Sequence, residues 1–237
     1  MTVPAYRRLS VEERRSQLLS TALNLFSGQA PEEVSLEDVA AAAGVSRPLV
    51  YRYFPGGKQQ LYEAALRSAA DELETCFNEP KVGSLTDRLQ RALGRYLLFI
   101  DEHDAGFSAL LRGGSVVETS STSAIVDEVR RQAAEQILSH LEVPDPGPLL
   151  STAVRTWISS VEAASLIWLD GGRPMPREEL RDWLIDQLMC TLVTTGARDE
   201  QAAACIELAV ELEEPGGQLA QLAHRILPVV TPAARLL

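Results

Sequence analysis

The chain has 237 residues and a mass of 25.9 kDa, with 46% hydrophobic and 23% charged residues. This composition is sufficient for a buried core and excludes a disordered, collagen-like or disulfide-scaffold protein. The formal net charge of −11 excludes a uniformly basic surface, but residues 1–60 carry +1 and the remainder −12, so a near-neutral N-terminal part precedes an acidic body.

The sequence contains no sign of export, membrane insertion or metal binding. The first residues lack the apolar segment of a signal peptide, and no stretch approaches the roughly 18 apolar residues that a membrane span needs. Cys76, Cys190 and Cys205 are far apart and lack metal-ligand spacing. We therefore expect a cytoplasmic protein with no membrane contact, no metal and no cofactor.

Prolines separate a series of helical patterns, and no strand pattern lies between them. Capping boxes at Ser10–Glu13 and Ser35–Asp38 open the first two helices. After a third helix that follows Ser46, further helices are predicted at 58–78, 84–103, 105–112, 119–142, 148–170, 177–197, 200–213 and 217–227. The protein is predicted to be all-α.

The stretch Ser35–Phe54, SLEDVAAAAGVSRPLVYRYF, has the spacing of a helix-turn-helix. Ala40 is small where two helices cross, Gly44 can adopt the left-handed turn, and Ser46 can cap the next helix. The apolar contacts between the two helices are assigned to Val39, Ala43, Val50 and Tyr53 or Phe54. The outward face of the second helix then presents Arg47, Pro48, Leu49, Tyr51 and Arg52, as in a recognition helix that enters the major groove.

The run AGVSRPLVYRYFPGGKQQLYEAAL and the preceding helix RRSQLLSTALNLF resemble the TetR family of transcriptional regulators. The resemblance covers about residues 10–70. It implies a homodimer whose N-terminal heads bind a palindromic operator in double-stranded DNA, and repression is the commoner outcome in this family. The implied architecture is a three-helix helix-turn-helix head in residues 1–57, followed by a helical domain in residues 58–237 that binds a small-molecule inducer and dimerises.

The resemblance assigns DNA contacts to the head. Arg47, Pro48 and Leu49 would meet base edges, whereas Tyr51, Tyr53 and Lys58 would contact phosphate. The full predicted set is Ser35, Ser46, Arg47, Pro48, Leu49, Tyr51, Arg52, Tyr53 and Lys58. Core packing is the alternative role for the aromatic residues Tyr51, Tyr53 and Phe54, and we favour it for Phe54 only.

Three features of the head depart from the family pattern. Pro48 stands where many members have a small residue such as Gly. One additional residue separates Phe54 from Lys58, so the pair Gly56–Gly57 can alter how Lys58 meets the DNA backbone. Glu37 faces DNA where some members have a basic residue, and it would repel phosphate unless Arg47 or Arg52 neutralises it.

The middle helices carry an apolar stripe that the resemblance associates with the inducer cavity. The pocket candidates are Tyr96, Phe99, His103, Phe107, Leu110, Leu111, Trp157, Val161 and Glu162. Plain core packing remains the alternative for the aromatic residues, and His103 is expected at the surface because its neighbours are acidic. Arg155, Ser159 and Glu162 share a helix face, where we favour a structural ion pair or dimer contact over a polar contact to the inducer.

Helix 148–170 is apolar nearly all round and must be covered on more than one side. With helix 177–197 it fits the four-helix bundle that the resemblance implies for the dimer. The dimer candidates are Trp168, Trp183, Leu184, Leu188 and Leu192. Alternatively, helices 200–213 and 217–227, which exceed the usual family length, cover this face within one subunit.

The sequence leaves three functions to distinguish. A ligand-responsive DNA-binding regulator is favoured, and the alternative is a helical interaction protein with a weakened or decayed DNA-binding head. An enzyme is least favoured, because His103, His140 and His224 are scattered and no catalytic constellation accompanies them.

Overall fold

The computed structural model describes residues 9–29, 33–103 and 120–232. Within these ranges the chain forms ten α-helices and no strand, so the all-α prediction is confirmed. The helices are α1 Val11–Gly28, α2 Leu36–Ala42, α3 Arg47–Tyr53, α4 Gly57–Cys76, α5 Leu85–Glu102, α6 Ser120–His140, α7 Pro148–Asp170, α8 Arg177–Gly196, α9 Glu200–Leu212 and α10 Gln218–Val230. The helix predicted at 105–112 lies outside the described residues.

Local signals explain most helix boundaries. Both predicted capping boxes form: Ser10 Oγ accepts from the Glu13 N–H at 3.1 Å, and Ser35 Oγ accepts from the Asp38 N–H at 3.1 Å. Ser46 does occupy the N-cap of α3, but its side chain makes no cap hydrogen bond, so the predicted hydroxyl cap is wrong. The last helix is also longer than predicted, since it continues through Pro228 to Val230.

The chain divides into two compact units. The first contains α1 to α3, α4 up to Glu72, and α6 up to Glu128. Its core includes Phe26 and Tyr62, whose rings meet edge to face with centroids 4.8 Å apart. Val39, Ala43, Val50 and Phe54 are buried, whereas Tyr53 is partly exposed, so Phe54 and not Tyr53 is the aromatic core residue that the sequence left open.

The second unit contains Leu73–Glu102 and the chain from Val129 onward. Helix α8 is its centre, because α5, α7, α9 and α10 all pack against it. Trp157 of α7 is buried and donates its indole N–H to the Leu184 carbonyl at 2.9 Å. The two C-terminal helices therefore cover α8 within the same chain.

Polar contacts attach the C-terminal helices to this unit. Glu213, between α9 and α10, accepts from the hydroxyl of buried Thr86 at 2.7 Å and from the Leu219 N–H at 3.1 Å. Gln218 accepts from Gln90 at 2.6 Å and donates to the Asp182 carbonyl at 3.1 Å. Helices α5 and α8 thus fix the position where α10 begins.

Two glycines allow a direct test of the turn between α2 and α3. Gly44 has φ +64°, in the left-handed region, and a Cβ there would meet nothing within 4 Å, so Gly44→Ala adds backbone strain without a clash. We expect it to lower the free energy of unfolding by about 1–2 kcal/mol. Gly94→Ala, also unobstructed but inside α5, should raise it by about 0.5–1 kcal/mol. Urea denaturation followed by circular dichroism measures both free energies of unfolding. Changes of the same sign would contradict the left-handed conformation of Gly44.

The structure adds two negative findings. In residues 9–29, 33–103 and 120–232, no helix is both long and apolar enough to cross a membrane. The same described part of the chain contains no group of three metal-ligating side chains that would hold an ion.

Candidate nucleic-acid interface

The turn between α2 and α3 sets the orientation of the candidate recognition helix. The Val45 N–H donates to the Ala40 carbonyl at 2.9 Å, and the Gly44 N–H donates to the Ala41 carbonyl at 3.1 Å. These bonds close the end of α2 around the left-handed Gly44. Val50 is fully buried beneath α3, so the opposite face of this short helix is directed to solvent.

The structure leaves all nine predicted DNA-contact residues accessible. Exposed or partly exposed side chains are those of Ser35, Ser46, Arg47, Pro48, Leu49, Tyr51, Arg52, Tyr53 and Lys58. Phe54 is buried, as favoured from the sequence. Lys58 lies in the first turn of α4, which begins at Gly57 with φ +73°.

Arg47 is held by partners from two helices. Its Nη1 lies 2.6 Å from Glu37 Oε1 of α2, and its Nη2 donates to the Tyr51 hydroxyl at 3.3 Å. The guanidinium also lies 5.3 Å from the centroid of the Tyr51 ring. The hydrogen bond to Tyr51 and the charge of Glu37 raise the pKa of Arg47. Glu37 is therefore paired with Arg47, one of the two arginines that could neutralise it.

The Arg47–Tyr51 contact was not predicted from the sequence. Residues four apart lie on the same face of a helix, and this spacing was the available signal. Ser35 also has a role beyond the predicted phosphate contact, because its hydroxyl donates to Asp38 Oδ2 at 2.6 Å. The hydrogen bonds from Ser35 lower the pKa of Asp38.

The pocket candidates occupy different environments. Tyr96, Phe99, Trp157 and Val161 are buried, and burial raises the pKa of Tyr96 far above its usual range, so its hydroxyl stays protonated. His103 is exposed, as expected, with Nε2 3.9 Å from Glu72 Oε2. Phe107, Leu110 and Leu111 lie outside the described residues.

Glu162 forms an ion pair, but not with a residue of its own helix. Its carboxylate accepts from Nε and Nη2 of Arg130 in α6 at 2.9–3.1 Å. Arg155, predicted to share the face, is exposed, and its carbonyl accepts from the Ser159 hydroxyl at 3.3 Å. The favoured structural ion pair therefore exists with a partner that the spacing within α7 did not reveal.

Four of the five dimer candidates are buried within the subunit. Leu184, Leu188 and Leu192 are fully buried in the core around α8, so they cannot contact a second subunit in this conformation. Trp168 is also buried and donates its indole N–H to the Met175 carbonyl at 2.9 Å. Only Trp183 of the five is exposed, at 53%.

Known proteins resemble this chain in both parts. The family of bacterial regulatory proteins named tetR matches residues 18–65, and the Tetracyclin repressor-like C-terminal domain matches residues 85–191. The transcriptional activator FasR of Mycolicibacterium smegmatis is 28% identical over 176 residues, which cover 72% of this chain and 79% of FasR. The regulator EthR of the same organism is 32% identical over 118 residues, 48% of this chain and 52% of EthR.

A solved structure extends the similarity to nearly the whole chain. A tetR-family transcriptional regulator from Streptomyces coelicolor is 48% identical, covers 94% of this chain and 100% of its own, and has a TM-score of 0.85. These relatives and the two family descriptions are of transcriptional regulators and not of enzymes. The chain belongs to the TetR family and is a DNA-binding transcriptional regulator.

Proposed function

We propose that this regulator binds a palindromic operator in double-stranded DNA as a homodimer and acts as a repressor that a small, largely apolar ligand releases. The observation that carries the proposal is the outward face of α3, where Arg47, the first residue of the helix, is exposed together with Tyr51 and Arg52. An arginine fork reads guanine O6 and N7, and exposed polar side chains beside it fix the helix on the phosphates. A weakened head is disfavoured, because the whole predicted contact set is present and accessible.

The proposed dimer surface lies on the outer faces of α7 and α8. Ile167 of α7 is 70% exposed, and Trp183 and Val193 of α8 are more than half exposed. Large exposed apolar side chains on helices whose other faces are buried are typical of an interface, and tryptophan is a frequent anchor there. The two-fold symmetry of a homodimer matches the two half-sites of a palindrome.

The proposed ligand site lies among α5, α7 and the part of α6 from Val129 onward, all within the second unit. The Tyr96 hydroxyl lies near Ser165 and Glu162, and Phe99 of α5 and Trp157 and Val161 of α7 are also buried. The Arg130–Glu162 pair places further polar groups beside it. A ligand that is mostly apolar but has one polar group fits these surroundings. Release needs only a ligand that favours a body conformation in which the two heads miss the half-site spacing, and a coupling of about 1–3 kcal/mol suffices.

The test is selection from a pool of random duplexes, followed by equilibrium binding to the selected and scrambled duplexes across a salt series. We expect a palindromic motif, tight binding to it, and a linear fall of log K with log salt concentration. Apolar small molecules are then screened for release of the bound duplex. Failure to enrich any motif, with equal and weak binding to all duplexes, would instead support the weakened head.

A further inference from the structure

We infer that Glu37 of α2 is a positioning residue for base reading: it holds Arg47 in one orientation on α3 and thereby narrows the set of operators that the protein accepts. This inference rests on the proposed function, since it assigns the base contact to Arg47. The reading partner is a guanine in the major groove, because a guanidinium matches the O6 and N7 acceptors.

The geometry restrains Arg47 from two directions. Glu37 binds Nη1 at 2.6 Å from the neighbouring helix, and Tyr51 accepts from Nη2 at 3.3 Å from the next turn of α3. The Tyr51 ring lies against the guanidinium at 5.3 Å. A guanidinium has five N–H donors, so these two contacts leave donors for one bidentate contact to a base. Because the arginine is already ordered, less conformational freedom is lost when it meets the base.

Stability does not account for the pair. Both side chains are about half exposed, at 55% for Arg47 and 50% for Glu37, and exposed ion pairs contribute little to folding. Helix α2 is already fixed by the Ser35–Asp38 capping box and by buried Leu36, Val39 and Ala40. A carboxylate next to the recognition helix instead has an electrostatic cost for DNA binding, because it repels phosphate.

The ion pair between Glu37 and Arg47 has different effects on base recognition and on non-specific attraction to DNA. While Glu37 neutralises Arg47, the arginine adds little to the attraction of the head for phosphates. Its contribution to binding is largest where a guanine accepts hydrogen bonds from its remaining N–H donors. Without the carboxylate charge, Arg47 is free to swing to a phosphate on any sequence. Loss of Glu37 should therefore strengthen binding to unrelated DNA and weaken discrimination.

The test is Glu37→Gln, which keeps the side-chain length and removes the charge. The selected operator and a scrambled duplex are titrated with the wild type and the variant across salt. We expect the ratio of the two affinities to fall by about fivefold or more, mainly through tighter binding to the scrambled duplex. The salt slope on that duplex should steepen by about one. Repeating the selection with the variant should give a broader base preference at the guanine position.

Two controls separate positioning from net charge. Glu12→Gln removes the same charge from the exposed first turn of α1 and should leave the affinity ratio unchanged. In an Arg47→Ala background, Glu37→Gln should no longer change the ratio, because the residue that it positions is absent.

The outcomes distinguish this inference from the proposed function. If the wild type enriches a motif but Glu37→Gln keeps the same motif and the same affinity ratio, the positioning role is overturned and the function stands. Equal effects of Glu37→Gln and Glu12→Gln would also overturn it. A wild type that enriches no motif overturns the proposed function and this inference with it.

Discussion

Arg47→Ala is expected to weaken operator preference strongly while leaving the protein folded and its oligomeric state unchanged. Arg47 is exposed and restrained by Glu37 and Tyr51 on the outward face of α3. Loss of a bidentate base contact costs about 1–3 kcal/mol, which corresponds to a roughly 5- to 150-fold loss of discrimination. Competition of the selected operator against scrambled duplex at fixed salt measures this ratio.

The matched control is Arg67→Ala, which removes an exposed arginine from α4 that is outside the predicted contact set. It should change affinity for both duplexes by similar factors and leave their ratio intact. An Arg47→Ala variant that still prefers the selected operator to the same extent would exclude Arg47 as the base-reading residue. It would then direct attention to Arg52, the other exposed arginine of α3.

Features that depend on adjacent residues could be predicted from the sequence. The capping boxes at Ser10 and Ser35 and the left-handed turn at Gly44 form as predicted, because each is determined by a few neighbouring side chains and backbone angles. The accessibility of Arg47 and the burial of Val50 follow from helical spacing once the turn is placed. The family resemblance then gave this local geometry its function.

Features that depend on distant partners could not be predicted in the same way. Glu162 pairs with Arg130, 32 residues earlier, and nothing in the spacing within α7 indicates a partner on α6. Helical periodicity correctly grouped Leu184, Leu188 and Leu192 on one face, but it does not say whether that face meets the same chain or a second one. The complete burial of these leucines in the core that α5, α7, α9 and α10 form around α8 decides this.

Leu188→Ala should therefore affect the stability of the subunit and Trp183→Ala its dimerisation, although both residues lie on α8. Leu188 is fully buried, so truncation leaves a cavity and should lower the free energy of unfolding by about 2–5 kcal/mol. Trp183 is 53% exposed, so its truncation should leave subunit stability nearly unchanged. If Trp183 is an anchor of the proposed dimer, its loss should raise the dimer dissociation constant by about 30-fold, or 2 kcal/mol.

Sedimentation equilibrium over a range of protein concentrations measures dimerisation, and urea unfolding at the same concentrations measures stability. The series is necessary because a dimer is stabilised by mass action, so a weaker dimer also unfolds more readily at low concentration. The contribution of the dimer to stability disappears with dilution, whereas the loss of stability from a core cavity does not depend on protein concentration. If Leu188→Ala dissociates but retains the subunit stability of the wild type, Leu188 is an interface residue and not a core residue. If Trp183→Ala dimerises as well as the wild type, the dimer contact must lie on another surface.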